Sequence, residues 1–521
     1  MIDDLELLGA ATEIDADICI VGGGAVGLSL GVKLAEMGVV PLIIESGGIS
    51  LESDSQELSD GDSVGHPFNS LNLGRYRVLG GSTTFWGGQL HEFDPILFEA
   101  RPWLGISAWP ISSEALRRYY DEAYTMLGVG NAERFDADVW RRIGNLDPSH
   151  GEDLDLVLSR WVPTRNLARH YLPTLKAIKG PRVIVHATMT QLDINPSSPI
   201  RLTFKSLSGQ ELLVKAKKVV LACGSIEIAR ILLAEARRDP TVPWARNPWV
   251  GTGFADHIVC DVGTVEIHDY KRFHDLFDSI YLGKFRYYPK LRSSNSAQRR
   301  LEMPELGAHF VFDNRFSSHL DNIKLFVRSL LEGRLPSNPL AMLRHVLAVA
   351  SISLPLIFRY FKDRRSFKPH DGSARLEVFS EQLPCAASSV TLADRSDVFG
   401  NPLPRLSWAL DGREVRSIRI FAEQIAEALA AKGLADVAIS PDLLQESPEF
   451  LDDARDNIHH MCTARMSHDA TGGVVDANLR VFGTENLYVA GAAVFPSTGF
   501  SNPTFTAIAL ALRLADDLVA S

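Results

Sequence analysis

A run of glycines near the start of the chain has the spacing that binds a dinucleotide. Gly22, Gly24 and Gly27 fit the pattern G-x-G-x-x-G. In this pattern the first glycine permits a tight turn, the second lets the backbone approach a pyrophosphate, and the third lets a helix pack closely on a strand. Glu45 lies 18 residues beyond Gly27, where a carboxylate accepts from ribose hydroxyls and repels a 2′-phosphate. The pattern alone does not choose between FAD and NAD.

These glycines require a strand before them and a helix after them. The β-branched run at 17–21 predicts the strand, the apolar periodicity over 25–37 predicts the helix, and a second strand ends at Glu45. Strand, turn, helix and strand form a βαβ unit. The same alternation returns twice, and together these segments predict an α/β sheet built from distant parts of the chain. The later strands are expected at 182–194, 200–204, 218–222 and 486–490, and the later helices at 226–236 and 503–519.

Composition excludes several classes of protein. The chain has 521 residues and a formal net charge of −11, whereas general nucleic-acid binding needs a basic surface. Its five cysteines are scattered without a C-x-x-C pair, and its histidines lack ligand spacing, so we expect neither disulfides nor a metal site. The acidic N-terminus lacks the features of a secretory signal, which predicts a cytoplasmic protein, and no apolar run is long enough to span a membrane.

Three further blocks of sequence resemble a known family. The blocks are Leu79–Gly88, Val250–His257, and a C-terminal set made of His459–Met466, Asn486–Gly491 and Ser501–Thr504. Together they resemble the glucose–methanol–choline (GMC) oxidoreductases over essentially the whole chain, and most closely the pyranose-oxidase-like branch that oxidises sugars and glycosides. The resemblance implies FAD, a Rossmann-like nucleotide lobe made of separated segments, and a substrate lobe resting on an antiparallel sheet.

The resemblance also implies roles for particular residues. His459 matches the family's active-site histidine, and Asn502 matches a second position that the family fills with His or Asn. Cys462 stands where glycine is usual, which leaves His460 as a lesser candidate. Phe85 stands where the branch carries the histidine that bonds covalently to FAD, so we expect non-covalent FAD. The residues expected to contact FAD are Gly22, Gly24, Gly27, Glu45, Gly81, Ser82, Trp86, Gly87, Gly88, Met189, Gly491 and Thr504.

Alcohol oxidation requires removal of a proton from oxygen and of a hydride from carbon. Histidine suits the first task because its pKa lies near neutral pH, and flavin accepts the hydride. We therefore interpret His459 as the base and Asn502 as the group that orients the hydroxyl. Asn502 also precedes Pro503 at the start of a predicted helix, which is typical of an N-cap. That helix would direct its positive end toward the flavin pyrimidine.

The predicted organisation has two lobes. The FAD-binding domain takes residues 1–95, 180–258 and 460–521, and the substrate-binding domain takes 96–179 and 259–459, with a helical insertion at 320–368. An apolar run at 346–358 has cationic residues on both sides. We interpret 340–368 as buried helices with a charged rim, with contact to an anionic membrane surface as the alternative.

Three functions remain open at this point. The first is FAD-dependent oxidation of a sugar, glycoside or polyol to a ketone or aldehyde, with oxygen or another electron acceptor. The second is a dehydrogenase docked at the inner membrane face, which acts on an apolar or lipid-linked alcohol and passes electrons to a quinone or protein. The third is a subunit that binds FAD without catalysis, which the joint presence of His459 and Asn502 disfavours.

Overall fold

A parallel sheet carries the glycine motif. The computed structural model describes residues 1–8, 12–144, 147–194, 199–312, 357–366 and 373–520. The first sheet has the strand order β1-β7-β3-β2-β10-β9-β8, and β19 also pairs with β10. Its pairs are parallel from β1 to β10 and between β10 and β19, while β9 and β8 add antiparallel strands at one edge. The strands of this sheet are β1 (Ile2–Asp4), β2 (Thr12–Val21), β3 (Leu42–Ile44), β7 (Arg182–Val185), β8 (Thr188–Asp193), β9 (Ile200–Lys205), β10 (Glu211–Leu221) and β19 (Leu487–Val489).

A second sheet is wholly antiparallel. Its order is β18-β11-β15-β14-β13-β6-β5, with β12 paired to β13. A Rossmann-like lobe and a lobe on an antiparallel sheet are therefore both present, as predicted. The strands are β5 (Gln89–Leu90), β6 (Leu154–Trp161), β11 (Ile258–Ile267), β12 (Ile280–Leu282), β13 (Phe285–Ser293), β14 (Leu306–Val311), β15 (Ser373–Ser380) and β18 (Ala435–Ile439).

A small third sheet was not predicted. It joins β4 (Asp62–Gly65), β16 (Ser389–Ser396) and β17 (Pro402–Trp408), and β4 runs parallel to β17 although more than 300 residues separate them. Its buried residues Val390, Leu406 and Trp408 pack on Ile226 of the helix that follows β10. This sheet joins β4 of the predicted FAD-binding domain to β16 and β17 of the predicted substrate-binding domain. The domain boundaries themselves stay a prediction.

The helices cover both sheets. The helix after β2 packs on the C-terminal helix, which in turn contacts the helix Ser113–Met126. Among the described residues, every helix is too short or too polar to cross a bilayer. The helices are Ala25–Glu36, Ser53–Glu57, Ser113–Met126, Asp136–Ile143, Leu167–His170, Leu172–Leu175, Ser225–Arg238, Tyr270–Phe277, Asn295–Leu301, 357–363, Val415–Ala431, Pro441–Leu444 and Thr504–Ala520.

Three predicted strand boundaries are wrong for identifiable reasons. The strand expected at 218–222 begins at Glu211, because its first half pairs with β2 and β9 while its alternate residues are buried. The strand expected at 17–21 begins at Thr12, because its first half pairs with β10 while its alternate residues stay exposed to solvent. The single strand expected at 182–194 is two strands, because His186 adopts a left-handed conformation with φ of 56° and turns the chain between β7 and β8. Most of the predicted insertion at 320–368, including nearly all of the apolar run, lies outside the described residues.

Candidate FAD and alcohol-oxidation site

One cavity of about 580 Å³ brings together nearly all of the predicted site residues. It opens where β2, β3 and β10 end and extends to the turn before the C-terminal helix. His459 and Asn502 line it, and Gly27 is the one predicted residue that does not. The predicted FAD contacts on its wall are Gly22, Gly24, Glu45, Gly81, Ser82, Trp86, Gly87, Gly88, Met189, Gly491 and Thr504.

The glycine turn has the geometry that its spacing predicts. Gly22 adopts φ of +114°, and a Cβ there would lie 2.6 Å from the carbonyl oxygen of Ala222. A Cβ on Gly27 would lie 1.9 Å from the carbonyl oxygen of Gly22, so Gly27 permits close packing of helix on turn. Gly24 precedes the helix Ala25–Glu36 and has open space where its Cβ would be. The free N–H groups of this helix therefore face the cavity at a point where an anion can approach.

Glu45 lies against the glycine turn as well as in the cavity. Its side chain is buried, and its carboxylate accepts from the N–H of Gly23 at 2.8 Å and of Gly47 at 2.9 Å. Burial raises the pKa of Glu45, and these two backbone bonds act in the opposite direction. The sequence predicted a contact with ribose, whereas the structure adds that this carboxylate fixes the glycine turn to the end of β3.

The loop at 80–88 covers the glycine turn. Gly81 adopts φ of +54°, and a Cβ there would lie 3.0 Å from the Cα of Gly24. Ser82 donates through its hydroxyl to the carbonyl of Gly74, and Trp86 donates through Nε1 to the carbonyl of Arg165 at 2.7 Å. The loop therefore lies directly over the glycine turn, where a side chain at residue 81 would occupy the space of the adjacent backbone.

His459 and Asn502 are in direct contact on the cavity wall. The amide nitrogen Nδ2 of Asn502 lies 3.0 Å from Nε2 of His459. The other amide atom, Oδ1 of Asn502, is buried and has no hydrogen-bond partner among the described residues. The Nδ1 nitrogen of His459 lies 3.0 Å from Nδ1 of His257 and 3.1 Å from the amide nitrogen of Asn457. His459 therefore presents Nε2 to the cavity while protein groups hold Nδ1.

Asp256 fixes the backbone that carries His459. One carboxylate oxygen accepts from the N–H groups of His257 and Asn457, and the other accepts from the N–H of His459 at 2.9 Å. Asp256 is fully buried, and burial raises its pKa to about 8. Ile458, beside His459, is left-handed with φ of 61°. The conformation of this segment is therefore strained and is held by one carboxyl group.

Cys462, which stands where the family usually has glycine, adopts a backbone conformation typical of glycine. It adopts φ of 71°, a conformation that glycine takes without steric cost and that other residues take at a cost of about 1–2 kcal/mol. The chain keeps this conformation with cysteine in place. Burial raises the pKa of the Cys462 thiol to about 12, as expected for a packing residue.

Burial keeps the histidines of the site uncharged. Burial, with a further contribution from the positive charge of Lys290, lowers the pKa of His459 to about 3. His460 is also buried, and burial with the charge of Arg75 lowers its pKa to about 3. His460 contacts the hydroxyl of Ser70 at 2.9 Å and lies against Phe68. At neutral pH both imidazoles are unprotonated.

Sequence reasoning missed several residues of the site. His257 was assigned no catalytic role from the sequence, yet its ring contacts that of His459, with centroids 4.8 Å apart. The Asp256-His257 pair in a matched block was the available signal. Arg75 and Arg77 line the cavity beside buried Glu227, and their charges with that of Arg230 lower its pKa against the effect of burial. Both arginines precede the matched block Leu79–Gly88, so no signal in the sequence pointed to them.

Comparison with known proteins supports the family resemblance. Residues 384–511 match the family model described as GMC oxidoreductase. A 2-methyl-1,2-propanediol dehydrogenase of Mycolicibacterium austroafricanum is 23% identical, over 84% of this chain and 80% of that protein. A 6'''-hydroxyparomomycin C oxidase of Streptomyces lividus is 23% identical, over 95% of this chain and 90% of that protein. The crystal structure of pyridoxine 4-oxidase from Mesorbium loti superposes with a TM-score of 0.58 at 15% identity, over 97% of this chain and 99% of that chain.

These matches confirm the resemblance inferred from the sequence. The match to the family model covers the C-terminal blocks that carry His459 and Asn502, and the structural match extends the same fold over nearly the whole chain. GMC oxidoreductases are FAD flavoproteins, and the cavity fits such a group. Its wall extends from the glycine turn to Asn502, and at the glycine turn the open space at Gly24 and a helix N-terminus leave room and free N–H groups for an anion.

Proposed function

We propose that this chain, which carries the C-terminal domain of the GMC oxidoreductases, uses FAD to oxidise an alcohol group of a sugar, glycoside or polyol. The observation that supports it most directly is the contact between His459 and Asn502 on the wall of the cavity. Two relatives that match over most of their length are named a 2-methyl-1,2-propanediol dehydrogenase and a 6'''-hydroxyparomomycin C oxidase. The first of these names is that of an enzyme acting on a diol.

In the proposed mechanism, the substrate hydroxyl enters between His459 and Asn502. The hydroxyl donates to Nε2 of His459, which takes its proton, and accepts from the amide nitrogen of Asn502. Burial lowers the pKa of His459 to about 3, which keeps the imidazole neutral at neutral pH. A neutral imidazole that carries its proton on Nδ1 can accept through Nε2. Bound FAD supplies the hydride acceptor. The unpaired Oδ1 of Asn502 favours a second hydroxyl on the same substrate, since a buried acceptor without a donor is unfavourable.

We assign the two ends of FAD to different walls. The turn Gly22, Gly24 and Gly27 with the helix that follows would hold the diphosphate, and Glu45 and Met189 would contact the adenosine. Gly81, Ser82, Trp86, Gly87 and Gly88, with Gly491 and Thr504, would surround the ring system. Phe85 is exposed and packs on Tyr76 with centroids 4.2 Å apart, and its side chain offers no atom for a covalent bond. We therefore propose non-covalent FAD, which acid precipitation should release as yellow supernatant.

Anaerobic bleaching of the flavin absorbance tests the reaction. Purified protein is mixed with monosaccharides, glycosides, polyols and sterols, and then with oxygen or other electron acceptors. We expect bleaching by a polyhydroxylated compound. A His459→Asn variant should bleach about 10²–10⁴-fold more slowly, since that is the usual contribution of a general base. His268→Asn, at an exposed histidine, is the matched control. Equal bleaching rates in wild type and His459→Asn would refute the role of His459.

A second candidate function places the enzyme at a membrane. In the described stretch 357–366, Ile357, Phe358 and Phe361 are exposed by 49%, 61% and 76%, next to the cation Lys362. Exposed aromatic and cationic side chains favour the surface of an anionic bilayer. A dehydrogenase docked there would pass electrons from an apolar alcohol to a quinone. Sedimentation with phosphatidylserine vesicles at low salt, and its loss in a Phe358→Ser/Phe361→Ser variant, would support this candidate over a cytoplasmic enzyme.

A further inference from the structure

Asn457 lies beside the imidazole of His459 on the wall of the cavity. Its amide nitrogen Nδ2 is 3.1 Å from Nδ1 of His459, whereas Asn502 contacts the other ring nitrogen. Asp256 accepts from the backbone N–H groups of both Asn457 and His459, which fixes the two residues relative to each other. Ile458 between them is left-handed, so the chain turns there and the two side chains meet. The contact is therefore built into the backbone of this segment.

Two amide groups flank an imidazole that has one acceptor. Nδ2 of Asn502 contacts Nε2 of His459 at 3.0 Å, while Nδ2 of Asn457 contacts Nδ1. An amide NH₂ group is only a donor, and a neutral imidazole carries its proton on one nitrogen and accepts through the other. The two NH₂ groups therefore cannot both donate to His459. One of the two amides must present its oxygen instead, which half a turn of the side-chain amide allows.

The surroundings of the two amides determine which one turns. The Oδ1 atom of Asn502 is buried and has no partner among the described residues. Turning Asn502 would place an NH₂ group there, and buried donors without an acceptor are rarer in proteins than buried carbonyls without a donor. Asn457 is half-buried and lines the cavity, so its turned NH₂ group faces open space. Asn457 is therefore the amide that turns.

We propose that Asn457 presents its amide oxygen to Nδ1 of His459 and so holds the ring proton on that nitrogen. Nε2 is then free to accept from a substrate hydroxyl, and the inference rests on the proposed function because it concerns the base of that reaction. Once Nε2 has taken the proton, the charged ring has an N–H donor at both nitrogens. The amide oxygen then accepts a charge-assisted bond from Nδ1, where an NH₂ group would meet a second donor. Asn457 is thus a positioning residue that sets which nitrogen of His459 reacts.

His257 alone does not determine the position of this proton. Its Nδ1 also lies 3.0 Å from Nδ1 of His459, and the proton between the two rings can belong to either of them. The oxygen of Asn457 accepts only when the proton is on His459, so it stabilises that arrangement. In a Ser-His-Asp triad, loss of the group that fixes the histidine tautomer lowers kcat by about 10⁴-fold. Because His257 remains as a second acceptor, a smaller effect is expected here.

Nitrogen NMR of the oxidised, FAD-loaded protein measures the tautomer without turnover. Histidine is labelled with nitrogen-15, and the signals of His459 are identified by their absence in His459→Asn. We expect a protonated Nδ1 and an unprotonated Nε2 in the wild type. Asn457→Leu, which has a similar shape without an acceptor, should shift the proton toward Nε2, with Asn457→Val in its place if the leucine variant does not fold. Asn457→Asp, whose oxygens accept, should keep the proton on Nδ1, as should Asn131→Leu at an exposed asparagine.

Anaerobic flavin reduction by a polyhydroxylated compound gives the second readout. Asn457→Leu should slow reduction at least tenfold, Asn457→Asp should restore most of the rate, and Asn131→Leu should match the wild type. A proton on Nε2 of His459 in the wild type, or the same tautomer in wild type and Asn457→Leu, would overturn the inference. If the tautomer shifts as expected but His459→Asn reduces flavin as fast as the wild type, the proposed base is refuted and the role of Asn457 in holding the proton stands.

Discussion

Replacing Asp256 by asparagine separates two opposing effects of a buried carboxyl group. In the wild type, its two oxygens accept three backbone N–H groups, including that of His459. Asparagine can keep the oxygen that serves His257 and Asn457, but it then places an NH₂ group against the N–H of His459. The variant therefore removes one hydrogen bond to the backbone of His459 and creates a contact between two donors.

The effect of Asp256→Asn on the free energy of unfolding depends on pH in both size and sign. Below about pH 4 both side chains are neutral, and the unsatisfied N–H of His459 should destabilise the variant by about 1–3 kcal/mol. Burial raises the pKa of Asp256 to about 8, above its value of about 4 in an unfolded chain. The folded wild type therefore keeps a proton that the unfolded chain releases, and it loses about 1.4 kcal/mol of stability per pH unit between these values. Since asparagine does not titrate, the two proteins should be equally stable at about pH 5–6, and the variant should be the more stable protein at pH 7 and above.

Urea denaturation of wild type and variant at pH 5, 7 and 9 measures this crossover. Asp436→Asn, at an exposed carboxylate, is the control for a general effect of charge. At every pH the variant should reduce flavin more slowly, by about 10²-fold if His459 moves by about 1 Å. The reasoning is refuted if the wild type gains stability relative to the variant as pH rises, because the N–H groups would then stabilise the carboxylate more than burial destabilises it.

Three further outcomes follow from the structure. Gly27→Ala should lose bound FAD and stability, because its Cβ would lie 1.9 Å from the carbonyl oxygen of Gly22; full FAD content after gel filtration would contradict this. Glu381→Gln should cost about 3–5 kcal/mol in urea denaturation, since it leaves the buried guanidinium of Arg101 without its counter-charge, and a loss under 1 kcal/mol would contradict it. The pKa of His459 is lowered to about 3, so the unfolded chain takes up a proton below pH 6.5 that the folded chain does not. As pH decreases through that window, the contribution of His459 lowers stability by about 1.4 kcal/mol per pH unit, and thermal melts of His459→Asn should lack this contribution.

The sequence predicted the parts of this fold that local patterns determine. The turn at Gly22 to Gly27 depends on backbone freedom and on a strand and helix next to it, so its spacing was sufficient. The contact of His459 with Asn502 joins residues 43 positions apart and came from the family resemblance. The pairing of β4 with β17 was not predictable, because a four-residue strand carries little periodicity and its partner lies more than 300 residues away.

The residues that sequence reasoning missed act through burial and long-range contact. Asp256 and Lys290 are charged residues, and a sequence does not show whether such a charge is solvated. In the structure both are buried, and each acts on His459: Asp256 through a backbone bond and Lys290 through its charge.

The contact between the rings of His459 and His257 determines which nitrogen can act as the base. Their Nδ1 atoms lie 3.0 Å apart, so one proton lies between them. If His257 carries it, neutral His459 must hold its own proton on Nε2, and Nε2 cannot accept from a substrate. If His459 carries it, Nε2 is free to accept, and His257 must hold its proton on Nε2, an atom that is buried without a partner among the described residues. The competent arrangement therefore leaves a buried donor unsatisfied at His257, next to the unsatisfied acceptor of Asn502. Unsatisfied polar atoms on both sides of the base are a stability cost that a purely structural histidine pair would not retain.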